Sequence, residues 1–169
     1  VIPTYNRLPI LKKCLDALEK QILNDKIKNF EIVIVDDGST DETVSWLRNN
    51  FETYPHLRLF EQSHGGPALG RNLGVESSRG EIIVFIDSDL VVDGYFLLNH
   101  VDSLFKAWKK LGNRRCFTYG SVINTSNFNY PNSEPFKLQD LSWAYFATGN
   151  VAIDKNVLEI SGLFDTSFR

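Results

Sequence analysis

The stretch that decides the fold is Ile82-Ile83-Val84-Phe85-Ile86-Asp87-Ser88-Asp89. Its first five residues are apolar and mostly β-branched, which is typical of a strand buried on both faces. The carboxylates of Asp87 and Asp89 follow, and residues two apart in an extended chain share a face, with Cα atoms about 6.5 Å apart. Such hard oxygen donors suit Mg²⁺ or Mn²⁺. Two unrelated loop carboxylates are the alternative, but the preceding strand favours a divalent-cation site.

The composition excludes several classes of protein. A chain of 169 residues with 43% hydrophobic and 23% charged residues is ordinary for one globular domain. A net charge of −3 without a basic run argues against nucleic acid as a partner. The cysteines, Cys14 and Cys116, lack metal or redox spacing and are predicted to be buried thiols, as suits a cytoplasmic protein. No apolar run approaches the roughly 18 residues that span a membrane.

Both ends of the chain are predicted to be cut. The chain opens on Val1-Ile2-Pro3, which is typical of the tail of a strand, and it stops at Phe168-Arg169 without a closing element. We therefore expect residues 1–169 to form one domain that is truncated at both ends, with its C-terminal part missing.

Strands and helices are predicted to alternate along the chain. Hydrophobic periodicity predicts helices over 8–22, 67–78, 96–111 and 155–160, and one that carries Val44, Leu47 and Phe51. It predicts strands over 30–35, 57–60, 82–86, 117–123 and 151–153, with a long loop over 125–141. Units of about 30 residues favour right-handed βαβ crossovers. The expected fold is a Rossmann-like α/β domain with a mostly parallel sheet flanked by helices.

Two finer expectations concern helix ends and helix faces. Ser39 and Glu42 have the spacing of a capping box, so Ser39 is expected to cap the second helix. In the helix over 67–78, Leu69 and Leu73 are expected to face inward.

Three polar clusters each follow a predicted strand. They are Pro3-Thr4-Tyr5-Asn6-Arg7, Asp36-Asp37-Gly38-Ser39 and Asp87-Ser88-Asp89. Ligands of parallel α/β sheets bind beyond the carboxyl ends of the strands, and there the three clusters would meet. This convergence is stronger evidence for a binding site than any one motif.

Each cluster member has a functional and a structural interpretation. Asp36 and Asp37 could form an Asx turn, but if Ser39 caps the helix they remain available to accept hydrogen bonds from a base or a ribose. Tyr5 could stack on a base or be a core aromatic residue. Arg7 and Arg71 could contact phosphate or lie at the surface.

A glycine-rich turn precedes the helix over 67–78. His64-Gly65-Gly66-Pro67 would let a ligand approach the backbone closely, and a helix N-terminus favours an anion. The alternative is a flexible turn without a ligand.

With these motifs together, the chain resembles the family 2 glycosyltransferases of the GT-A fold. The resemblance is carried by residues 1–7 (VIPTYNR), 35–41 (VDDGSTD), 66–72 (GPALGRN) and 85–89 (FIDSD). Residues 148–150 and 162–165 resemble later segments of the family. The likeness covers nearly the whole chain.

The resemblance implies a nucleotide-diphosphate-sugar donor, most often a UDP-sugar, with Mn²⁺ or Mg²⁺ as cofactor. The donor nucleotide would be bound by Pro3, Thr4, Tyr5, Arg7, Asp36, Asp37, Gly66, Arg71, Asp87 and Ser88. Asp89, with Asp87, would ligate the metal, and Gly149 and Asn150 would line the sugar or acceptor pocket. By the same analogy Pro3 and Tyr5 would lie against the base and Asp37 would contact the uracil.

The implied reaction is transfer of the sugar, with inversion, to a hydroxyl of a saccharide or lipid-linked acceptor in polysaccharide biosynthesis. The cation would neutralise the leaving diphosphate. Inverting transfer needs a general base, and the family's base is expected beyond Arg169. Asp154 and Asp165 are in range by sequence, but neither matches the family position, and no base is assigned. The expected localisation is cytoplasmic, with any membrane association through regions outside this chain.

Two alternatives remain at this point. A sugar-phosphate nucleotidyltransferase would carry a glycine-rich basic loop after the first strand, and residues 3–7 contain no glycine. A non-catalytic nucleotide-sugar-binding module would keep the nucleotide clusters but lack the base.

Overall fold

A computed structural model describes residues 1–122 and 148–167 of the chain. The strands are β1 (Ile2–Thr4), β2 (Ile32–Asp36), β3 (Leu57–Glu61), β4 (Ile82–Ile86), β5 (Phe117–Tyr119) and β6 (Asn150–Asp154). The helices are α1 (Leu8–Leu18), α2 (Thr43–Arg48), α3 (Pro67–Ser77), α4 (Phe96–Leu111) and α5 (Lys155–Ile160). The loop predicted over 125–141 and the last residue of the strand predicted over 117–123 lie outside the described residues.

The strands form two hydrogen-bonded groups that meet at Val1. β1, β2 and β3 are parallel, with Thr4 opposite Asp36, and β6 pairs antiparallel with both β4 and β5. The Val1 nitrogen donates to the Val84 carbonyl at 2.7 Å, and the Ile86 N–H donates to the Val1 carbonyl at 3.2 Å. This alternation is that of a parallel pair. The order is therefore β3-β2-β1-β4-β6-β5, with β6 alone reversed among these strands, and the predicted mostly parallel α/β fold is confirmed.

Both faces of the sheet are covered. One core cluster joins α1, α2 and α4 to the sheet, with Leu11, Ile34 and Ile86 in its interior. The other joins α3 and α5 to β4 and β6 around Phe85 and Val75. Because successive residues of a strand point to opposite faces, β4 contributes Ile86 to the first cluster and Phe85 to the second. A strand covered on both faces must be apolar throughout, which explains the run at 82–86.

Helix α3 lies unusually close to β1. A Cβ built on Gly70 would be 3.2 Å from the Cβ of Pro3, and one built on Gly74 would be 2.3 Å from Cγ1 of Val1. These two glycines let the helix approach the strand. The approach brings the N-terminus of α3 to the carboxyl edge of the sheet.

Three apolar residues are not where periodicity predicts them. Ile22 lies beyond the end of α1, because the chain turns there to donate its N–H to the Gly94 carbonyl at 2.7 Å. Phe51 lies beyond α2 and is exposed. Leu69 was expected to face inward, but it is 42% exposed because Gly70 and Gly74 form the inward face of α3.

The capping box predicted at Ser39 is wrong. α2 begins at Thr43, and the residue before it, Glu42, makes no side-chain cap. Oδ1 of Asp41 instead accepts the Thr43 N–H at 3.0 Å. Ser39 is used elsewhere, since its Oγ accepts the Asn6 N–H at 2.9 Å.

Both cysteines are free thiols, but the prediction that both are buried is correct only for Cys14. Cys14 is buried in α1, and burial raises the pKa of its thiol to about 12, while Cys116 is half-buried before β5. Across residues 1–122 and 148–167, the helices are too short or too polar for any of them to traverse a bilayer.

Candidate functional site

A cleft of about 890 Å³ opens at the carboxyl edge of the sheet. It lies where β1, β2 and β4 end and where α3 begins, so the three clusters that follow those strands meet in it. The residues that line it are Pro3, Thr4, Tyr5, Arg7, Asp37, His64, Gly65, Gly66, Pro67, Leu69, Arg71, Asp87, Ser88, Asp89 and Thr166. Ten of the thirteen residues predicted for the site therefore line one cavity, and the other three, Asp36, Gly149 and Asn150, do not.

Asp37 fastens the loop before α3 to the end of β2. Its Oδ1 accepts hydrogen bonds from Nε2 of Gln62 at 2.6 Å and from the N–H of Gly65 at 2.8 Å, and its Oδ2 accepts the N–H of Gly66 at 3.0 Å. Burial alone would raise the pKa of Asp37, but these hydrogen bonds outweigh it and hold the pKa below its usual value. The carboxylate is therefore ionised at neutral pH, and it fixes one wall of the cleft.

Asp36 lies beneath the cleft instead of lining it. It is 2% exposed, and its Oδ1 accepts the N–H groups of Gly38 at 3.1 Å and Ser39 at 2.8 Å. Gly38 has a φ of 81°, which a side chain would strain. The prediction that both carboxylates have no structural role is wrong. Asp36 forms the Asx turn, and Asp37 binds the loop before α3.

Asn6 was not among the predicted site residues, yet it joins two of the clusters. Its Oδ1 accepts the N–H groups of Thr40 at 2.8 Å and Asp41 at 3.2 Å, while its own N–H donates to Ser39. Its φ of 51° is one that asparagine tolerates better than most residues. A polar residue of that type directly after a strand is the signal that could have identified it.

Two rings stand on one side of the cleft. The rings of Tyr5 and His64 have centroids 4.3 Å apart and are tilted by 33°. Tyr5 is 41% exposed, so it is not the core aromatic residue of the structural interpretation. Nδ1 of His64 lies 2.9 Å from Oδ2 of Asp37, so this ring also contacts the carboxylate that binds the loop before α3.

The two carboxylates after β4 each face an arginine. Nη2 of Arg71 donates to Oδ1 of Asp87 at 3.0 Å, and Nη1 of Arg7 donates to Oδ2 of Asp89. Both carboxylates are nearly half exposed to the cleft. Two acidic and two basic groups thus meet where the strand ends, in an arrangement that can bind both a cation and an anion.

Gly149 lies against this acidic pair from the neighbouring strand. Its carbonyl accepts the Asp87 N–H at 3.3 Å, and a Cβ built on it would be 2.6 Å from Oδ2 of Asp87. The absence of a side chain at this position therefore gives the Asp87 carboxylate the room it occupies.

The residues at this edge fit a divalent cation that takes some of its ligands from the protein and the others from water or a substrate. Asp87 and Asp89 supply hard oxygen donors at a solvent-open edge, as Mg²⁺ and Mn²⁺ prefer. Within the described parts of the chain, no group of three or more His, Cys, Asp or Glu side chains could hold a metal by itself. The remaining ligands would have to be water or substrate oxygens.

Asn150 points away from the cleft. Its Oδ1 lies 2.8 Å from Nε2 of His100, whose Nδ1 lies 2.8 Å from Oγ1 of Thr118. His100 is 4% exposed, and burial lowers its pKa, so the ring is neutral. With both ring nitrogens bonded, His100 joins α4, β5 and β6.

Neither carboxylate considered as a base, Asp154 or Asp165, is among the residues that line the cleft. Asp154 is 1% exposed and caps α5, accepting the Asn156 N–H at 2.9 Å. It pairs with Ile82 at the start of β4, at the opposite end of the strand from the cleft. Asp165 is fully exposed, and hydrogen bonds from Ser167 lower its pKa.

The segment after α5 returns to the cleft. Asn72 on α3 binds the backbone of Phe164 through two hydrogen bonds of 2.9 Å, and Thr166 lines the cavity. The sequence did not predict Gln62, Asn72 and Thr166 as site residues at the cleft. Gln62 follows the third parallel strand at the same edge, which could have identified it, whereas nothing local connects Asn72 with a residue 92 positions away.

Known proteins share this sequence pattern. The sequence profile of Glycosyl transferase family 2 matches residues 1–160. The glycosyltransferase YibD of Escherichia coli is 36% identical over 89 residues, which are 53% of this chain and 25% of that protein. The poly(ribitol-phosphate) beta-glucosyltransferase of Bacillus spizizenii is 35% identical over 100 residues, which are 58% of this chain and 16% of that protein. The matches thus cover a quarter or less of these two relatives.

Solved structures share the fold. The mannosyltransferase PcManGT of Pyrobaculum calidifontis, in complex with GDP-Man and Mn²⁺, superposes with a TM-score of 0.68 at 29% identity, covering 98% of this chain and 46% of that one. S. aureus TarS 1-349 in complex with UDP superposes with a TM-score of 0.67 at 22% identity, covering 99% and 49%. This chain spans about half the length of each.

Three observations agree: the family match over residues 1–160, the mixed sheet covered by helices on both faces, and these superpositions. The chain belongs to glycosyl transferase family 2 and has the GT-A fold.

Proposed function

We propose that the cleft binds a nucleotide-diphosphate sugar, with UDP as the nucleotide, together with Mn²⁺ or Mg²⁺. The full protein would transfer the sugar, with inversion, to a hydroxyl of a saccharide or lipid-linked acceptor. The observation that carries the proposal is the pair of carboxylates, Asp87 and Asp89, standing opposite Arg71 and Arg7 in one cleft.

The nucleoside is proposed to bind on the β1 and β2 side of the cleft. The partly exposed ring of Tyr5 lines the cleft there, together with Pro3 and Thr4. Asp37 is ionised, and its Oδ2, which accepts the Gly66 N–H and lies 2.9 Å from Nδ1 of His64, is the oxygen proposed to accept a hydrogen bond from a base N–H. Asp36 is not proposed as a contact, because its role is to shape the turn below.

The diphosphate is proposed to bind between the two arginines and the acidic pair. Arg7 and Arg71 offer planar donor groups that suit phosphate oxygens. Gly66 precedes the 11-residue helix α3 and has open space around its Cα, so a phosphate could approach the backbone closely here, although the Gly66 N–H itself is donated to Asp37. When bound at Asp89 and Asp87, a divalent cation would neutralise the charge on the leaving diphosphate.

This chain's own residues would hold the donor and orient its sugar. Arg71 holds the carboxylate of Asp87 in place, and Gly149 gives that carboxylate room. The transferred sugar would then lie beyond β4, toward β6. No residue is proposed here as the base that takes the proton of the acceptor.

The known relatives support this choice among the alternatives. PcManGT is described in complex with GDP-Man and Mn²⁺ and TarS in complex with UDP, so donors of this class occupy the same fold. A nucleotidyltransferase is disfavoured, because the chain belongs to glycosyl transferase family 2 and the β1 loop has no glycine.

A donor screen by thermal shift tests the proposal. UDP-, GDP- and dTDP-sugars are each added at millimolar concentration with Mn²⁺, and the unfolding temperature is recorded. We expect UDP-sugars to raise it by several degrees, since a ligand at 100 times its Kd adds about 2.7 kcal/mol of stability. An equal response to all three nucleotides, or none, would contradict a uridine-selective donor site.

A further inference from the structure

The side chain of Asn72 on helix α3 makes two hydrogen bonds to the segment that follows α5. Nδ2 of Asn72 donates to the Phe164 carbonyl, and Oδ1 of Asn72 accepts the Phe164 N–H, both at 2.9 Å. One amide thus satisfies both backbone polar groups of a residue 92 positions away. Such a two-point contact fixes the position and the orientation of the bound peptide unit.

The segment held in this way has a strained turn. Gly162 has a φ of 90° and Leu163 a φ of 63°, a conformation that leucine rarely adopts. Such a conformation persists only where surrounding contacts hold it. Those contacts are the Leu163 N–H donating to the Leu158 carbonyl at 3.2 Å, the edge-on packing of Phe164 against Phe85, and the amide of Asn72.

Arg71, the residue before Asn72 in α3, faces the acidic pair after β4. Arg71 pairs with Asp87, and its guanidinium lies 6.0 Å from the centre of the Phe164 ring. Arg71 therefore donates its hydrogen bond to Asp87, whereas both hydrogen bonds of the Asn72 amide go to the segment that carries Thr166 into the cleft. The hydrogen bonds of the two adjacent residues have separate tasks.

We propose that Asn72 is a positioning residue, which sets the place of the segment 162–167 in the wall of the cleft without taking part in nucleotide binding. The assignment of that wall to the acceptor side rests on the proposed function. In the order of the sheet the nucleoside lies at β2 and β1 and the acidic pair at β4. The segment packs on β4 through Phe164, so it stands on the side where the sugar would leave for its acceptor.

Amide hydrogen exchange tests the contact directly. In Asn72→Ala the Phe164 amide loses its acceptor, and we expect its exchange to accelerate by about tenfold or more. Asn72→Asp keeps an acceptor oxygen for the Phe164 N–H but sets a carboxylate oxygen against the Phe164 carbonyl, so it should also lose protection. Asn99→Ala, which removes an exposed asparagine from α4, is the matched control. Unchanged exchange of the Phe164 amide in Asn72→Ala, or equal acceleration in the Asn99→Ala control, would overturn the proposal.

Binding of UDP with Mn²⁺ provides the second readout on the same variants. Asn72→Ala should leave the Kd within about twofold of wild type, whereas Arg71→Ala should raise it by about tenfold. A tenfold loss of UDP affinity in Asn72→Ala would assign Asn72 to the donor site and overturn the division of tasks. If wild type fails to bind UDP, the proposed function fails, while the exchange experiment still decides whether Asn72 holds the segment.

Discussion

Gly149 matters to the site because it has no side chain, which leaves room for the Asp87 carboxylate. A Cβ there would stand 2.6 Å from Oδ2 of Asp87, whereas its backbone conformation is one that alanine can adopt. Because the Asp87 carboxylate is nearly half exposed, it would swing away and the fold would survive. The residue therefore affects ligand binding more than stability.

We predict that Gly149→Ala weakens binding of UDP in the presence of Mn²⁺ by about tenfold, or about 1.4 kcal/mol. Calorimetric titration measures the affinity, and urea denaturation checks that stability is little changed. Gly80→Ala is the control, since a Cβ there meets only the Ile82 carbonyl at 3.5 Å, at the far end of β4. Unchanged affinity in Gly149→Ala would mean that the position of the Asp87 carboxylate does not matter for the ligand.

At the scale of residues, the sequence predicted the site members that follow a local pattern but not the roles that depend on distant partners. The acidic pair after β4 was predictable, because an apolar strand ending in two carboxylates is a local pattern. The tasks of Asp37 and Asn72 were not, because their partners lie 28 and 92 residues away and are set by the packing of α3. Ser39 was assigned to a cap that it does not make, because its true partner, Asn6, lies in another loop.

At the scale of elements, His100 joins a helix to two strands. Its ring is bonded at both nitrogens, to Thr118 and Asn150, and packs edge-on against Phe96, none of which titrates. Burial lowers its pKa from the ordinary value of 6.5. Below that pH the unfolded chain takes up a proton that the folded chain resists, so His100 contributes stability that is lost as the pH falls.

We predict that the stability difference between wild type and His100→Gln shrinks as the pH falls from 7.5 to 5.5. The decrease is at most about 1.4 kcal/mol per pH unit, since one proton is involved. Urea denaturation of both proteins across this range measures it, and the other titrating groups cancel in the difference. A difference that is constant, or that grows on acidification, would contradict a neutral His100 in the folded state.

Elements were predicted better than their ends. The bounds of α4 and α5 agree with the periodicity, because their apolar faces are continuous. The ends of α1 and α2 were misplaced, because Ile22 and Phe51 continue the helical spacing after the chain has left the helix. In α3 the inward face is made of glycines, which a search for apolar side chains overlooks.

For the whole molecule, the order of the strands brings the chemistry together. β2, β1 and β4 lie side by side and end at the same edge, although their sequence positions span more than 80 residues. The alternation of strands and helices predicted this convergence. The reversed β6 was not predicted, yet it delivers Gly149 to the acidic pair, because its register places Asn150 opposite Ile86.

The central claim is that the cleft binds UDP through a cation held at Asp89 and Asp87. Calorimetric titration of UDP, with Mn²⁺ and with a chelator, tests it most directly on wild type, on Asp89→Asn and on the exposed control Asp25→Asn. We predict that Mn²⁺ strengthens binding by about tenfold or more in wild type and in the control, and that Asp89→Asn abolishes this gain. Equal affinity with and without Mn²⁺ in wild type, or a full gain in Asp89→Asn, would contradict the account.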